Sequence, residues 1–349
     1  MSDRDHSQDL SETSATYFFS ERGGTVAKIG NPDQERLMTK VAWLYHNRRM
    51  RQNDIAIRLG ISQSRVSRLL DLAIQTGVVQ TTVVPPDGLH AELEEQLEQR
   101  YGLREAHIFD VGDGTDGSEH QLVEALGQLV ATRLQAHPLP AEIIGFTSWS
   151  RSLRATVASL KPMQSATKYV VEMLGDVGPM AIQHEAADAT RQLAALTGAE
   201  PHFLRTPGVV PSREVRETIL AYDADARQAL AMLDRMQLAL VGIGTCEIVE
   251  PLVAGENFFT KEQFGHAAKL GAVGQVNLRF IREDGTPVVS ELDELVVGVT
   301  LQQLANTDRV LAVAGGPSKF QAIRASLLGH WVNSLVTDLD TAERLVSHA

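Results

Sequence analysis

Between residues 33 and 84 the apolar positions recur every three or four residues, and from about residue 89 they gather into short β-rich runs separated by helical stretches. In "DQERLMTKVAWLYHNR" the positions Leu37, Val41, Ala42, Leu44 and Tyr45 form one helical stripe, with Asp33 available as N-cap. "QNDIAIRLG" predicts a second, shorter helix ended by Gly60. Ser62 then caps a third, "QSRVSRLLDLAIQTG", ended by Gly77. Two helices that cross steeply need a small residue where they touch and a glycine free to adopt positive φ in the turn. Ala56 and Gly60 meet that need, and Ile55, Leu59, Ile61, Val66 and Leu69 fall where a small core requires apolar side chains. The pattern is that of a helix-turn-helix. The β-branched run "VVQTTVV" after Gly77 predicts a strand, with a wing as one reading of it, and Pro85 and Pro86 close the module.

The remainder reads as α/β. "LHAELEEQLEQRYGL" is an amphipathic helix bridging the two modules, followed by the candidate strands "EAHIFDV", "AEIIGFT", "KYVVEML", "QLALVGI", "RVLAVAG" and "NSLVTD". Strand–helix alternation over this length predicts a doubly wound parallel sheet, whose ligands lie beyond the carboxyl ends of the strands. The expected organisation is a poorly ordered tail over residues 1–30, a helix-turn-helix DNA-binding domain over 31–86 and an α/β effector domain over 87–349.

Composition narrows the classes. The chain of 349 residues is 43% hydrophobic and 22% charged, ordinary globular values. With one cysteine, Cys246, no intramolecular disulfide is available, which fits a reducing cytoplasm. The N-terminus lacks the pattern of a secretory signal, and no apolar run spans a bilayer, so no membrane partner is expected. Net charge is −12, unevenly shared: residues 33–84 carry +4 and residues 85–349 carry −14. An acidic body with a basic N-terminal module points to a polyanion contacted at one end.

The candidate chemistry follows from this frame. Turning Val66, Leu69, Leu70 and Ala73 inward leaves Ser62, Gln63, Ser64, Ser67 and Arg68 outward on the third helix. Gln63 could read adenine and Arg68 guanine in the major groove. Arg48, Arg49, Arg51 and Arg65 are placed for phosphates. In the body, "TSWSRS" (Thr147, Ser148, Trp149, Ser150, Arg151, Ser152) passes from a strand into a helix and could cradle an anion. "AGGPSK" does the same through Gly315, Gly316, Ser318 and Lys319. Neither loop is a P-loop, and the "GIG" of Gly242–Gly244 lacks the third glycine of a dinucleotide fingerprint. No histidine pair has metal-helix spacing, no G-x-S-x-G elbow occurs, and Cys246 reads as core, so neither metal, cofactor nor catalysis is expected. "DLDTAERLV" reads as a capping box with Asp340 as N-cap and Glu343 at N3.

From about Leu37 to the C-terminus the chain resembles the SorC family of bacterial sugar-responsive transcriptional regulators. The resemblance rests on "VAWLYHN", the helix-turn-helix pattern, "TSWSRSL", "GAVGQVNLRF", "GTPV", "AGGPSKFQAIRASLLGHWVN" and "LVTDLDTAERL", in that order. It implies an effector domain similar to the sugar-phosphate isomerase and deaminase fold without its catalysis, and a homotetramer or homodimer on operator DNA. It also implies that Ser148 to Ser152 bind the effector's phosphate with help from Lys319, while Glu172, Gly175 and Gln275 line the polyol end. The chain departs from the family pattern at Ser150, where glycine is common, at Ser152, where threonine is, and at Gln275, where an acid is frequent. The expected function is a DNA-binding transcriptional regulator whose operator affinity is changed by a sugar, sugar phosphate or polyol. The alternative is a sugar-phosphate enzyme with an accessory nucleic-acid-binding module.

Overall fold

The computed structural model describes residues 18–19, 25–26, 32–79, 89–110, 119–136, 140–248 and 250–348. The chain divides into two compact units, residues 1–84 and 85–349. In the first, β1 (Phe18–Phe19) and β2 (Thr25–Val26) form a short antiparallel ladder. The rest of the expected tail, the wing residues 80–84 and Pro85–Pro86 lie outside the described residues.

Three helices follow: α1 (Pro32–His46), α2 (Gln52–Leu59) and α3 (Gln63–Gln75). Helix α1 begins at Pro32, where a missing N–H costs nothing, so Asp33 lies inside the first turn rather than at the cap. Gly60 ends α2 at φ 63°, ψ 34°, and the Ile61 N–H then bonds back to the Ala56 carbonyl at 3.0 Å. Ser62 caps α3 by accepting from the Arg65 N–H at 3.3 Å. Met38, Val41, Ala42 and Leu44 of α1, Ile55 and Ala56 of α2, and Val66, Leu69, Leu70 and Ala73 of α3 make one buried cluster. Leu37, Leu59 and Ile61 pack against its margin, while Tyr45 points outward.

The second unit begins with α4 (Ala91–Tyr101), β3 (Glu105–Phe109), α5 (Glu119–Ala136), β4 (Ile143–Phe146) and α6 (Arg151–Ser159). It continues with β5 (Tyr169–Glu172), α7 (Met180–Thr197), β6 (Glu200–His202), α8 (Arg213–Tyr222), α9 (Ala224–Leu233) and β7 (Leu238–Val241). Next come β8 (Gly244–Thr245), α10 (Glu250–Val253), α11 (Lys261–Lys269), β9 (Ala272–Val276) and β10 (Arg279–Arg282). The chain closes with α12 (Leu292–Leu295), α13 (Leu301–Asn306), β11 (Arg309–Val313), a 3₁₀ turn at Pro317–Lys319, α14 (Phe320–Leu328), β12 (Ser334–Asp338) and α15 (Leu339–Ser347).

Seven strands form one parallel sheet in the order β3-β12-β11-β7-β4-β5-β6. Alternate residues serve opposite faces. Ile143, Ala239, Val241, Val310 and Ala312 pack with α4, α9, α14 and α15, whereas Ile144, Phe146, Leu238, Leu240, Leu311 and Val313 pack with α5, α6 and α7. Burial on both faces is why these strands read as continuous apolar runs rather than alternating ones. All six strands expected from the sequence are in this sheet, and β6 joins them as an edge.

A second sheet, antiparallel and ordered β10-β9-β8, has its own aromatic core in which Phe259 stacks on Phe280 at 5.5 Å and Phe264 meets Phe280 edge-on. The body is therefore a mixed parallel and antiparallel α/β unit. One cap differs from expectation: α15 starts at Leu339, and the carboxylate of Asp338, not Asp340, accepts from the Thr341 N–H at 2.9 Å.

Candidate functional site

In the parallel sheet β4 connects onward to β5 on one side, while β7 lies against its other side. The strand order reverses between β4 and β7, and a crevice opens beyond their carboxyl ends at such a point. A cavity of about 440 Å³ occupies it. Thr147, Trp149, Ser150, Arg151 and Ser152 reach it from the end of β4, Gly242 to Thr245 from the end of β7, and Ser318 and Lys319 from beyond β11. Gln275 of β9 closes one side, and Ile182, Ile248 and Leu252 make an apolar wall with Trp149.

The polar end is built around the start of α6. Ser150 is its N-cap but makes no side-chain capping bond, which leaves first-turn N–H groups unsatisfied by the helix. Ser150 packs so close to Gly242 that a Cβ there would meet Ser150 Oγ at 2.6 Å. Arg151 pairs with Glu119, and Arg154 with Glu185 at 2.9 Å. Lys319 is half-buried. Burial pushes its ammonium below the ordinary lysine value, the Glu119 carboxylate opposes that shift and Arg151 adds to it. A desolvated cation beside open N–H groups favours an anion.

The opposite side depends on a strained hairpin. Asn277 and Leu278 join β9 to β10 with φ of 49° and 61°, the left-handed pair that suits the twist of a two-residue turn. A leucine there costs about 1–2 kcal/mol of backbone strain. The Gln275 Oε1 accepts from the Leu278 N–H at 2.8 Å, and Thr147 Oγ1 donates to Asn277 Oδ1 at 2.9 Å. Gly244 has no room for a Cβ, because the Gln275 amide lies against it.

Several sequence-based candidates stand elsewhere. Ser148 is buried and does not line the cavity. Glu172 is buried beneath the loop after β6, accepting from Leu204 N–H at 3.1 Å and Thr190 Oγ1 at 3.0 Å. Burial raises its carboxyl above the ordinary range, with Arg205 pulling it back. Gly175 packs where a Cβ would meet the Thr206 carbonyl at 2.5 Å. Neither Glu172 nor Gly175 lines the cavity, so the expected polyol end is left with Gln275 alone. Gly315 and Gly316 are buried against Asp338 instead of facing the cavity; the Gly316 N–H donates to Asp338 Oδ2 at 2.7 Å. Their part is to let the chain turn tightly enough to carry Lys319 to the wall. Conversely, Gly242 and Gly244 do line the cavity, although the sequence shows only an incomplete fingerprint there.

On the first unit, Arg51, Ser62, Gln63, Ser64, Arg65 and Arg68 are exposed and Ser67 is half-buried. Arg68 Nε bonds the Ser64 carbonyl at 3.3 Å, and Arg48 lies 4.9 Å above the Trp43 ring. Among the described residues no cluster of His, Cys, Asp or Glu could hold a metal, and no helix is long and apolar enough to cross a membrane. Cys246 is half-buried against the smaller core, and burial lifts its thiol to about 11.

A family model described as a putative sugar-binding domain matches residues 88–347. The sorbitol operon regulator of Klebsiella pneumoniae is 30% identical over 323 residues, covering 90% of this chain and 99% of its own. The chain belongs to the SorC family of sugar-binding transcriptional regulators. Another relative, the transcriptional regulator LsrR of Klebsiella pneumoniae, is 31% identical over 319 residues, with 90% and 94% of the two chains covered. The crystal structure of the full-length sorbitol operon regulator SorC from Klebsiella pneumoniae superposes with a TM-score of 0.63 at 27% identity, over 90% of this chain and 100% of that one. As a SorC-family member the protein is a DNA-binding transcriptional regulator responsive to a carbohydrate effector. These relatives are regulators and not enzymes, so the enzymatic alternative is set aside.

Proposed function

We propose that α2 and α3 form a helix-turn-helix, that residues 31–86 bind operator DNA, and that residues 87–349 bind a phosphorylated carbohydrate in the cavity between β4 and β7. The observation that carries the effector reading is Lys319, desolvated beside the open N-terminus of α6 at the point where the strand order reverses. The phosphate lies against Ser150, Arg151, Ser152 and Lys319, and the carbohydrate extends toward Gln275. The helix-turn-helix reading rests on Gly60 and Ala56 at the turn, and on the exposed row Gln63, Ser64 and Arg68 opposite the buried Val66 and Leu69. Gln63 and Arg68 read bases, and Arg51 and Arg65 hold phosphates. The regulator works as a homodimer or homotetramer, in which effector binding shifts the balance between arrangements of differing operator affinity.

A thermal-shift series with sugars, polyols and their phosphates tests the effector site, because a ligand that binds only the native state raises apparent stability. Phosphorylated sugars should raise the melting temperature of the parent protein and not that of Lys319→Ala. Equal shifts in both proteins would remove the cavity from the account.

A further inference from the structure

We infer that Glu119 occupies the anion place of the cavity in the unliganded protein and that the effector's phosphate must displace it, so that this one carboxylate sets the effector concentration at which the regulator responds. The inference rests on the proposed phosphate site at Arg151 and Lys319, and deepens it.

Three charged side chains meet at the polar end of the wall: Glu119 from the start of α5, Arg151 from the start of α6, and Lys319 from the 3₁₀ turn after β11. Glu119 and Arg151 form an ion pair, and both act on the Lys319 ammonium, the carboxylate favouring its charge and the guanidinium opposing it. The carboxylate therefore stands against both cations to which the phosphate is assigned. The neighbouring acids do not: Glu185 pairs with Arg154, and Glu247, on the wall beyond β8, is not among the charges that act on Lys319.

Helix α5 is fixed where it brings this carboxylate. A Cβ on Gly316 would meet the Leu122 side chain at 3.0 Å and one on Gly315 would meet Leu126 at 3.1 Å, so the start of α5 packs on the turn that delivers Lys319. The Glu119 side chain, by contrast, is free to leave. It is 49% exposed and Arg151 is 51% exposed, and ion pairs so open to water are held weakly. Turned into solvent, Glu119 still lies in the first turn of its own helix, where negative charge is favoured. A phosphate bound to Arg151 and Lys319 would sit beside a like charge unless the carboxylate moved. The phosphate, with its greater charge and three acceptor oxygens, takes the place.

Calorimetric titration of the full chain with inorganic phosphate, at fixed ionic strength in a slightly alkaline buffer, reads this competition whatever the carbohydrate is. Glu119→Gln keeps the shape of the side chain and removes its charge, and should bind phosphate about threefold or more tightly than the parent. Glu124→Gln removes the same charge from the same helix, at an exposed position that does not line the cavity, and should match the parent. Lys319→Ala should lose phosphate binding, which reports on the pocket separately. Where binding depends on Lys319, an unchanged or weaker affinity in Glu119→Gln overturns the inference and leaves the pocket standing; a weaker one would make Glu119 the residue that positions Arg151. An equal gain in Glu124→Gln also overturns it, because net charge alone would then account for the effect. Absence of phosphate binding in the parent and in Glu119→Gln alike overturns the pocket reading itself, and the inference with it.

Discussion

Asp338→Ala should cost the effector-binding unit stability and loosen the loop that carries Lys319. The Asp338 carboxylate does two jobs: Oδ1 caps α15 through the Thr341 N–H at 2.9 Å, while Oδ2 accepts from the Gly316 N–H at 2.7 Å and Thr341 Oγ1 at 2.8 Å. Loss of an N-cap costs about 0.5–2 kcal/mol. A buried N–H left unpaired costs about 1–3 kcal/mol, here reduced because Thr341 Oγ1, 3.0 Å from the Gly316 nitrogen, can still accept. The sum is about 2–3 kcal/mol, or a fall of about 5–10 °C in melting temperature for a unit of this size. Asp338→Asn retains one acceptor for the cap and should lose about half as much. Differential scanning calorimetry gives the stabilities, and phosphate titration of the folded variant should show weaker binding as the Gly315–Gly316 turn relaxes. Equal losses for the two variants, or a loss under about 1 kcal/mol for alanine, would refute the double role.

Arg68→Ala should weaken operator binding by about 1–3 kcal/mol and relax the preference at one base step, whereas Arg65→Ala should weaken all sequences alike and lower the salt dependence, as fluorescence anisotropy across operator variants and salt concentrations would show. Gly60→Ala meets open space but a left-handed backbone, so it should destabilise the three-helix unit by about 1–2 kcal/mol in chemical denaturation, through strain alone. The depressed Lys319 value means that the unfolded chain holds this proton more tightly than the native one. Stability from this group should therefore rise with pH between the depressed value and 10.5, and Lys319→Met should remove that rise from alkaline denaturation curves.

The two architectures were legible to different degrees, for physical reasons. Unit one could be read almost residue by residue because its core is local: helical spacing, one turn glycine and one small contact residue determine it. The sheet strands could be read as well, since β4, β7 and β11 are buried on both faces and appear as unbroken apolar runs. The antiparallel sheet could not, because β8 is two residues long and the β9–β10 turn uses Asn277–Leu278 where a hairpin usually announces itself with glycine. The start of α6 was visible as a polar strand-to-helix loop. Gly242 and Gly244 were not, because their meaning comes from β7 pairing with β4 from far along the chain. Gly315 and Gly316 misled in the other direction, being glycines required for packing on Asp338 rather than for a ligand. The cap of α15 is not legible from the sequence, because aspartates stand at both Asp338 and Asp340; the structure puts Asp338 at the N-cap and Asp340 inside the first turn.

A carbohydrate held at Lys319 should change the protein's affinity for its operator. Anisotropy titration of labelled operator with the parent and with Lys319→Ala, each with and without the effector identified by thermal shift, tests it most directly. The two unliganded proteins should bind operator with equal affinity, and effector should shift that affinity in the parent alone. A full response in Lys319→Ala at the same effector concentration would contradict it.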